Sequence, residues 1–125
     1  MTKPRSCFDN GRKVAEIGAA LAYADTMARR LPFGGKGALQ DLSAGLHTAT
    51  AAAERIEKDI AGKAKSSARG IAKEIKAYNE NMRRRWIDAR SFPMRPGDAA
   101  EIQRNTSSFR KKVMRLWNQL RQKCR

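Results

Sequence analysis

The chain has 125 residues and a mass of 14.0 kDa, enough for one modest hydrophobic core and too little for two independent domains. It carries 27 Lys and Arg against 12 Asp and Glu, a net charge of +15 and a sequence pI near 10.8. Solubility alone does not need so much charge of one sign, and its self-repulsion works against the compact state, so the balance points to a polyanionic partner.

Residues 1–9 read as a flexible leader. Met1 to Asn10 holds no apolar stretch of the length a secretory signal needs, and no run approaches the roughly 18 to 20 apolar residues of a membrane span. The expected protein is soluble and cytoplasmic. Cys7 and Cys124 form no CxxC-type pair, so two free thiols in a reducing compartment are expected, with an end-to-end disulfide as the alternative. Asp9 or Asn10 can cap a helix in which Val14, Ile17, Leu21, Ala24 and Ala28 recur at alternating spacings of three and four. Ala20, Tyr23 and Met27 widen that stripe, and Arg29 and Arg30 suit a last turn, where cations favour the helix dipole. A first helix over 10–30 is predicted, ended by LPFGGKG at 31–37.

The GGKG at 34–37 lacks both the GxxxxGK[ST] spacing and the preceding strand of a phosphate loop, and reads as a connector with Lys36 available for incidental phosphate contact. From 38 to 90 no proline occurs. Leu39, Leu42, Leu46, Ala49, Ala53, Ile56 and Ile60 keep one helical seam. The rhythm then slips through Ala64 and Ala68 before Ile71, Ile75, Tyr78, Met82, Trp86 and Ala89 resume it. Gly62, Ser66, Ser67 and Gly70 lower helix propensity at the slip, so the long central helix is expected to kink or break there, giving helices over 38–62 and 68–90. SFPMRPGD at 91–98 precedes a last helix over 98–123, with Asp98 capping and Glu101 completing a capping-box pattern. Its apolar face is Ile102, Thr106, Phe109, Val113, Leu116 and Leu120. No segment alternates as a half-buried strand does. The fold class is all-α: one domain over 1–125, an antiparallel bundle of three to four helices.

Catalytic chemistry finds little support. His47 is the lone histidine and sits beside an apolar seam, and three Cys and His residues are too few for a structural zinc site. Glu54, Glu57 and Asp59 could gather a cation, but Arg55 and Lys58 among them fit ordinary helix-surface ion pairs. The expectation is a protein that is no enzyme and holds no metal or cofactor.

Two basic groups remain. The first is Lys73, Lys76, Arg83, Arg84, Arg85 and Arg90; the second is Arg104, Arg110, Lys111, Lys112, Arg115 and Arg121. From Ile102 to Arg125 eight residues are Lys or Arg and none is acidic. Cations in line displace the counterions condensed on nucleic acid, and arginine adds bidentate contacts to phosphate. Trp86 and Trp117 could stack on unpaired bases, although their place on or beside the seams favours the core. The leading expectation is therefore an accessory or regulatory factor on the DNA or RNA phosphate backbone. The alternative is an adaptor or inhibitor that binds an acidic or nucleic-acid-binding surface of a larger protein or ribonucleoprotein complex. A membrane-surface role would need the apolar face of 109–124, which a bundle of this size needs for its core. The SFPMRPGD connector is too long and proline-rich for a helix-turn-helix. A homodimer follows only if the central block stays a straight rod.

Overall fold

The computed structural model describes residues 11–60, 62–89 and 95–123; among these every regular element is helical. Residues 1–10, Cys7 among them, Arg90, residues 91–94 of the connector and Cys124 lie outside the described residues, and so do the expectations attached to them. The helical stretches are α1 (Gly11–Asp59), α2 (Lys63–Ala89) and α3 (Pro96–Lys123).

α1 is no straight rod. At 1.5 Å per residue, a straight helix would separate Ala20 from Gly45 by about 37 Å and Lys13 from Asp59 by about 69 Å. Yet a Cβ built on Gly45 would stand 3.1 Å from the Ala20 carbonyl oxygen, and Lys13 pairs with Asp59. The stretch therefore doubles back as two antiparallel arms, 11–31 and 38–59. Pro32, which lies inside it, has no N–H to donate and crowds the preceding turn, and glycines 34, 35 and 37 follow at once. Four helices result, with no strand among the described residues. Gly45 is what lets the arms approach: Tyr23 Cδ1 also lies 3.1 Å from the point where a Cβ would stand.

The second reversal falls at Gly62, whose φ of +74° lies in the left-handed region open to glycine. Lys65 N–H then donates to the Gly62 carbonyl at 3.1 Å as α2 begins. The break thus sits at the front edge of the expected 62–70 window. Ser66, Ser67 and Gly70 lie within uninterrupted α2, where burial of Ala68, Ile71 and Ala72 outweighs their weak propensity. The central block is two antiparallel helices, which removes the straight rod on which a dimer was argued.

Polar contacts give the order of packing. Ser43 to Asn79 at 3.2 Å and Arg69 to Glu57 at 2.8 Å join the second arm of α1 to α2. Tyr78 to Thr106 at 2.7 Å, Lys112 to Glu74 at 3.2 Å and Arg85 to Glu101 at 3.1 Å join α2 to α3. Arg110 to Asp25 at 3.1 Å, and Met114 Cε at 3.5 Å from a Cβ position on Gly18, join α3 to the first arm. In each series numbers rise on one helix as they fall on the other, so every helix has two antiparallel neighbours, an up-down-up-down order.

The seams read from sequence form the centre. Leu39, Leu42, Leu46, Ala49, Ala53, Ile56 and Ile60 are all buried, as are Ile17, Leu21, Ala24 and Ala28 facing them. In α3 the largest fully buried side chain is Trp117, and Ile102, Thr106, Val113 and Leu120 along the same face are buried too, while Phe109 and Leu116 are only partly covered. The apolar face of α3 is committed to the core, and no helix among the described residues is long and apolar enough to cross a membrane. Pro96 opens α3 at the first helical position, and the Asp98 carboxylate accepts from the Arg95 N–H at 3.2 Å. The cap therefore forms one turn earlier than expected, and Glu101 pairs with Arg85 instead of serving it.

Candidate nucleic-acid interface

Helical periodicity and the bundle order fix where each basic side chain goes. In α3, Ile102, Thr106, Val113, Trp117 and Leu120 face the core, which turns Arg104, Lys111 and Arg115 onto one outward line, all exposed. The line spans roughly 16 Å at 1.5 Å per residue, about five base-pair rises of duplex DNA. Among the described residues no carboxylate pairs with these three.

Arg110, one position before Lys111, swings toward the first arm of α1 and binds Asp25 at 3.1 Å. Arg29 approaches the same Asp25 oxygen at 3.7 Å, one turn along the arm. The Asp25 side chain is only 4% exposed, whereas those of Arg29 and Arg110 are 64% and 42% exposed. The carboxylate lies beneath the two guanidinium groups, with its Oδ1 lacking a partner among the described residues. Such an arrangement leaves one net positive charge at the surface, ties Arg110 by a hydrogen bond and draws Arg29 toward the same oxygen by charge. Beside it, Arg29, Gln103, Arg104, Ser107 and Ser108 line an open cleft of about 480 Å³.

The flank of α3 that meets α2 differs. Lys112 is bound to Glu74 and Arg85 to Glu101, so two expected contact residues spend their charge between helices. Beneath them Tyr78 stacks on Phe109 with ring centroids 4.3 Å apart and shares a hydrogen bond with the buried Thr106. Burial pushes the Tyr78 hydroxyl above the ordinary tyrosine value of 10.0, with the Asp25 charge adding and the Thr106 bond and Arg85 charge opposing.

The first basic group is spread over three directions. Lys73 and Arg84 point outward from α2, and Arg85 points to α3. Lys76 and Arg83 share the flank of Asn79 and Arg69, which bond Ser43 and Glu57 of α1. The side chain of Arg121 lies outside the described residues, as Arg90 does. The structure therefore gathers Arg104, Arg110, Lys111 and Arg115 and adds Arg29, which the sequence alone presents only as a last-turn cation. The Asp25 to Arg29 spacing of four residues was the available signal; the Arg110 partner, 85 residues away, was not.

Trp86 is partly buried and Trp117 fully so, so Trp117 has no face to offer a base. His47 is exposed, Glu57 is held by Arg69 and Asp59 by Lys13, and no group of three potential metal ligands occurs among the described residues. Comparison of the chain with family models, with curated proteins and with solved structures finds no match.

Proposed function

We propose that this protein is a non-enzymatic accessory or regulatory factor of the cytoplasm that binds the phosphate backbone of DNA or RNA, using the face shared by α3 and the first arm of α1. One observation supports this reading above the others. Arg29, Arg104, Arg110, Lys111 and Arg115 converge on that face, and its single carboxylate among the described residues, Asp25, is buried under two of them. Five cations and one anion correspond to about four neutralised phosphates, which sets a slope of log affinity against log salt near −3.6 for duplex DNA. Recognition through phosphates positions a protein without reading bases, so affinity for unrelated sequences should be similar.

The test is a titration of a fluorescently labelled duplex and a labelled single strand at several salt concentrations. Affinity for at least one should fall roughly 10²-fold between about 50 and 200 mM salt. Absence of binding to both at the lowest salt would remove the proposal. A partner captured through the same face after nuclease treatment would then favour an acidic protein surface.

A further inference from the structure

The cleft at the end of the first arm is lined by polar residues without a carboxylate. Arg29 and Arg104 contribute guanidinium donors, Gln103 an amide donor, and Ser107 and Ser108 hydroxyl donors. No carboxylate and no apolar side chain lines it. The two other clefts described differ in kind: one, along α2 and α3, includes Glu74, Ile71 and Leu120, and the other, along the α1 arms, includes Glu16 and a row of alanines. Two guanidinium groups that can only donate, with an amide and two hydroxyls that can also donate and no carboxylate, suit a compact anion with several acceptor oxygens. A phosphate group has that form, and arginine binds it through two parallel N–H donors.

Asp25 stands behind the cleft without lining it. It sits one helical turn before Arg29, almost wholly buried, accepts a hydrogen bond from Arg110 at 3.1 Å and stands at ion-pair distance, 3.7 Å, from Arg29. A flexible arginine loses side-chain freedom when it grips a ligand; one already restrained from behind loses less. We infer that the cleft between Arg29 and Arg104 is a phosphate-binding subsite, with Arg29 and Arg104 as the gripping residues and Asp25 as a positioning residue. The inference rests on the nucleic-acid reading for its natural ligand, a backbone phosphodiester, but its chemistry is that of any accessible phosphate.

The sign of one substitution separates this subsite from a diffuse positive field. Asp25→Asn raises the net charge by one, so a protein that binds through overall charge alone would bind nucleic acid more tightly. A subsite that depends on a positioned Arg29 would bind more weakly, by threefold or more. Arg29→Lys, at an exposed position where folding is not at stake, keeps the charge and removes the fork; it should weaken binding about fivefold. Arg104→Gln should cost about tenfold, clearly more than Arg84→Gln, which removes the same charge from the outward side of α2.

All variants would be measured by anisotropy with one labelled duplex at fixed salt, with melting curves to verify folding. Tighter binding by Asp25→Asn together with unchanged binding by Arg29→Lys would overturn the subsite while leaving nucleic-acid binding intact. If the wild type binds no nucleic acid, inorganic phosphate is the remaining probe. Shifts of the Arg29 and Arg104 side-chain N–H resonances with phosphate, and not with chloride at equal ionic strength, would uphold the subsite; their absence would sink it.

Discussion

α3 has two flanks bearing the same kinds of residue, and they differ in what opposes them. Toward α2, Lys112 meets Glu74 and Arg85 meets Glu101, across a seam closed by Tyr78, Phe109 and Thr106. Toward α1, Arg110 meets a carboxylate hidden beneath it, and Arg104, Lys111 and Arg115 on the outward line meet none among the described residues. The first flank is a joint and the second is a surface. Charge totals do not reveal this: α1 holds seven basic and six acidic residues, α2 eight and three, and α3 seven and two. By count α2 and α3 are equally basic. The placement of a few carboxylates decides which cations a polyanion can reach, since an exposed ion pair offers little net field.

The comparison fails most visibly if the two flanks respond alike to loss of charge. The triple substitution Arg104→Gln, Lys111→Gln, Arg115→Gln removes three phosphate contacts and should lower duplex affinity on the order of 10²-fold at about 0.1 M salt, flattening the salt slope by about 2.7. Arg85→Gln with Lys112→Gln removes two charges from the joint and should lower affinity less than fivefold, with a stability loss of at most about 1 kcal/mol per pair because both pairs are partly exposed. Equal affinity losses per charge would show that the joint is also a contact surface. Parallel binding isotherms and urea melts of the two variants make the measurement.

A smaller effect of opposite sign sharpens the same point. Glu74→Gln with Glu101→Gln keeps the shape of the seam and releases Lys112 and Arg85 from their partners. Affinity should rise roughly three- to tenfold and the salt slope should steepen. An unchanged slope would mean that the released side chains still do not reach phosphate, leaving only a long-range field.

These contrasts were only partly legible in the sequence. The seven seam positions from Leu39 to Ile60 are all buried because a 3/4 rhythm of Leu, Ile and Ala has one way to leave water. The reversal at 31–37 was legible because Pro32 and three glycines oppose a straight helix. In α3 the rhythm selected Leu116, yet Trp117 is the residue at the centre. A helix can rotate by a fraction of a turn to bury its largest ring, and local spacing does not record that. The surface was less legible still. Glu74, Glu101 and Asp25 are plain in the sequence, but the cations they meet depend on the order of helices around the bundle. Arg29 reaches the α3 face only because α1 doubles back and α3 packs on its first arm.

The smallest expected effect concerns the joint alone. Tyr78→Phe preserves the stack on Phe109 and removes the hydroxyl that bonds Thr106 at 2.7 Å, so it should cost about 1 kcal/mol of stability and leave nucleic-acid affinity unchanged. Its pH dependence gives a further handle. Burial raises the Tyr78 pKa above 10.0 in the folded protein, so as pH rises past that value the unfolded chain releases its tyrosine proton first. The unfolded state then binds fewer protons than the folded one, and stability falls with rising pH. This contribution is fully present below the unfolded value and is lost as pH passes through the folded one. The phenylalanine variant cannot lose it, so the gap between wild type and variant should narrow in melts taken from about pH 8 to about pH 11. A gap that stays constant would mean that Tyr78 ionises as readily in the folded protein as in the unfolded chain. In that case the seam between α2 and α3 admits water, and the distinction between joint and surface would weaken at the joint's own centre.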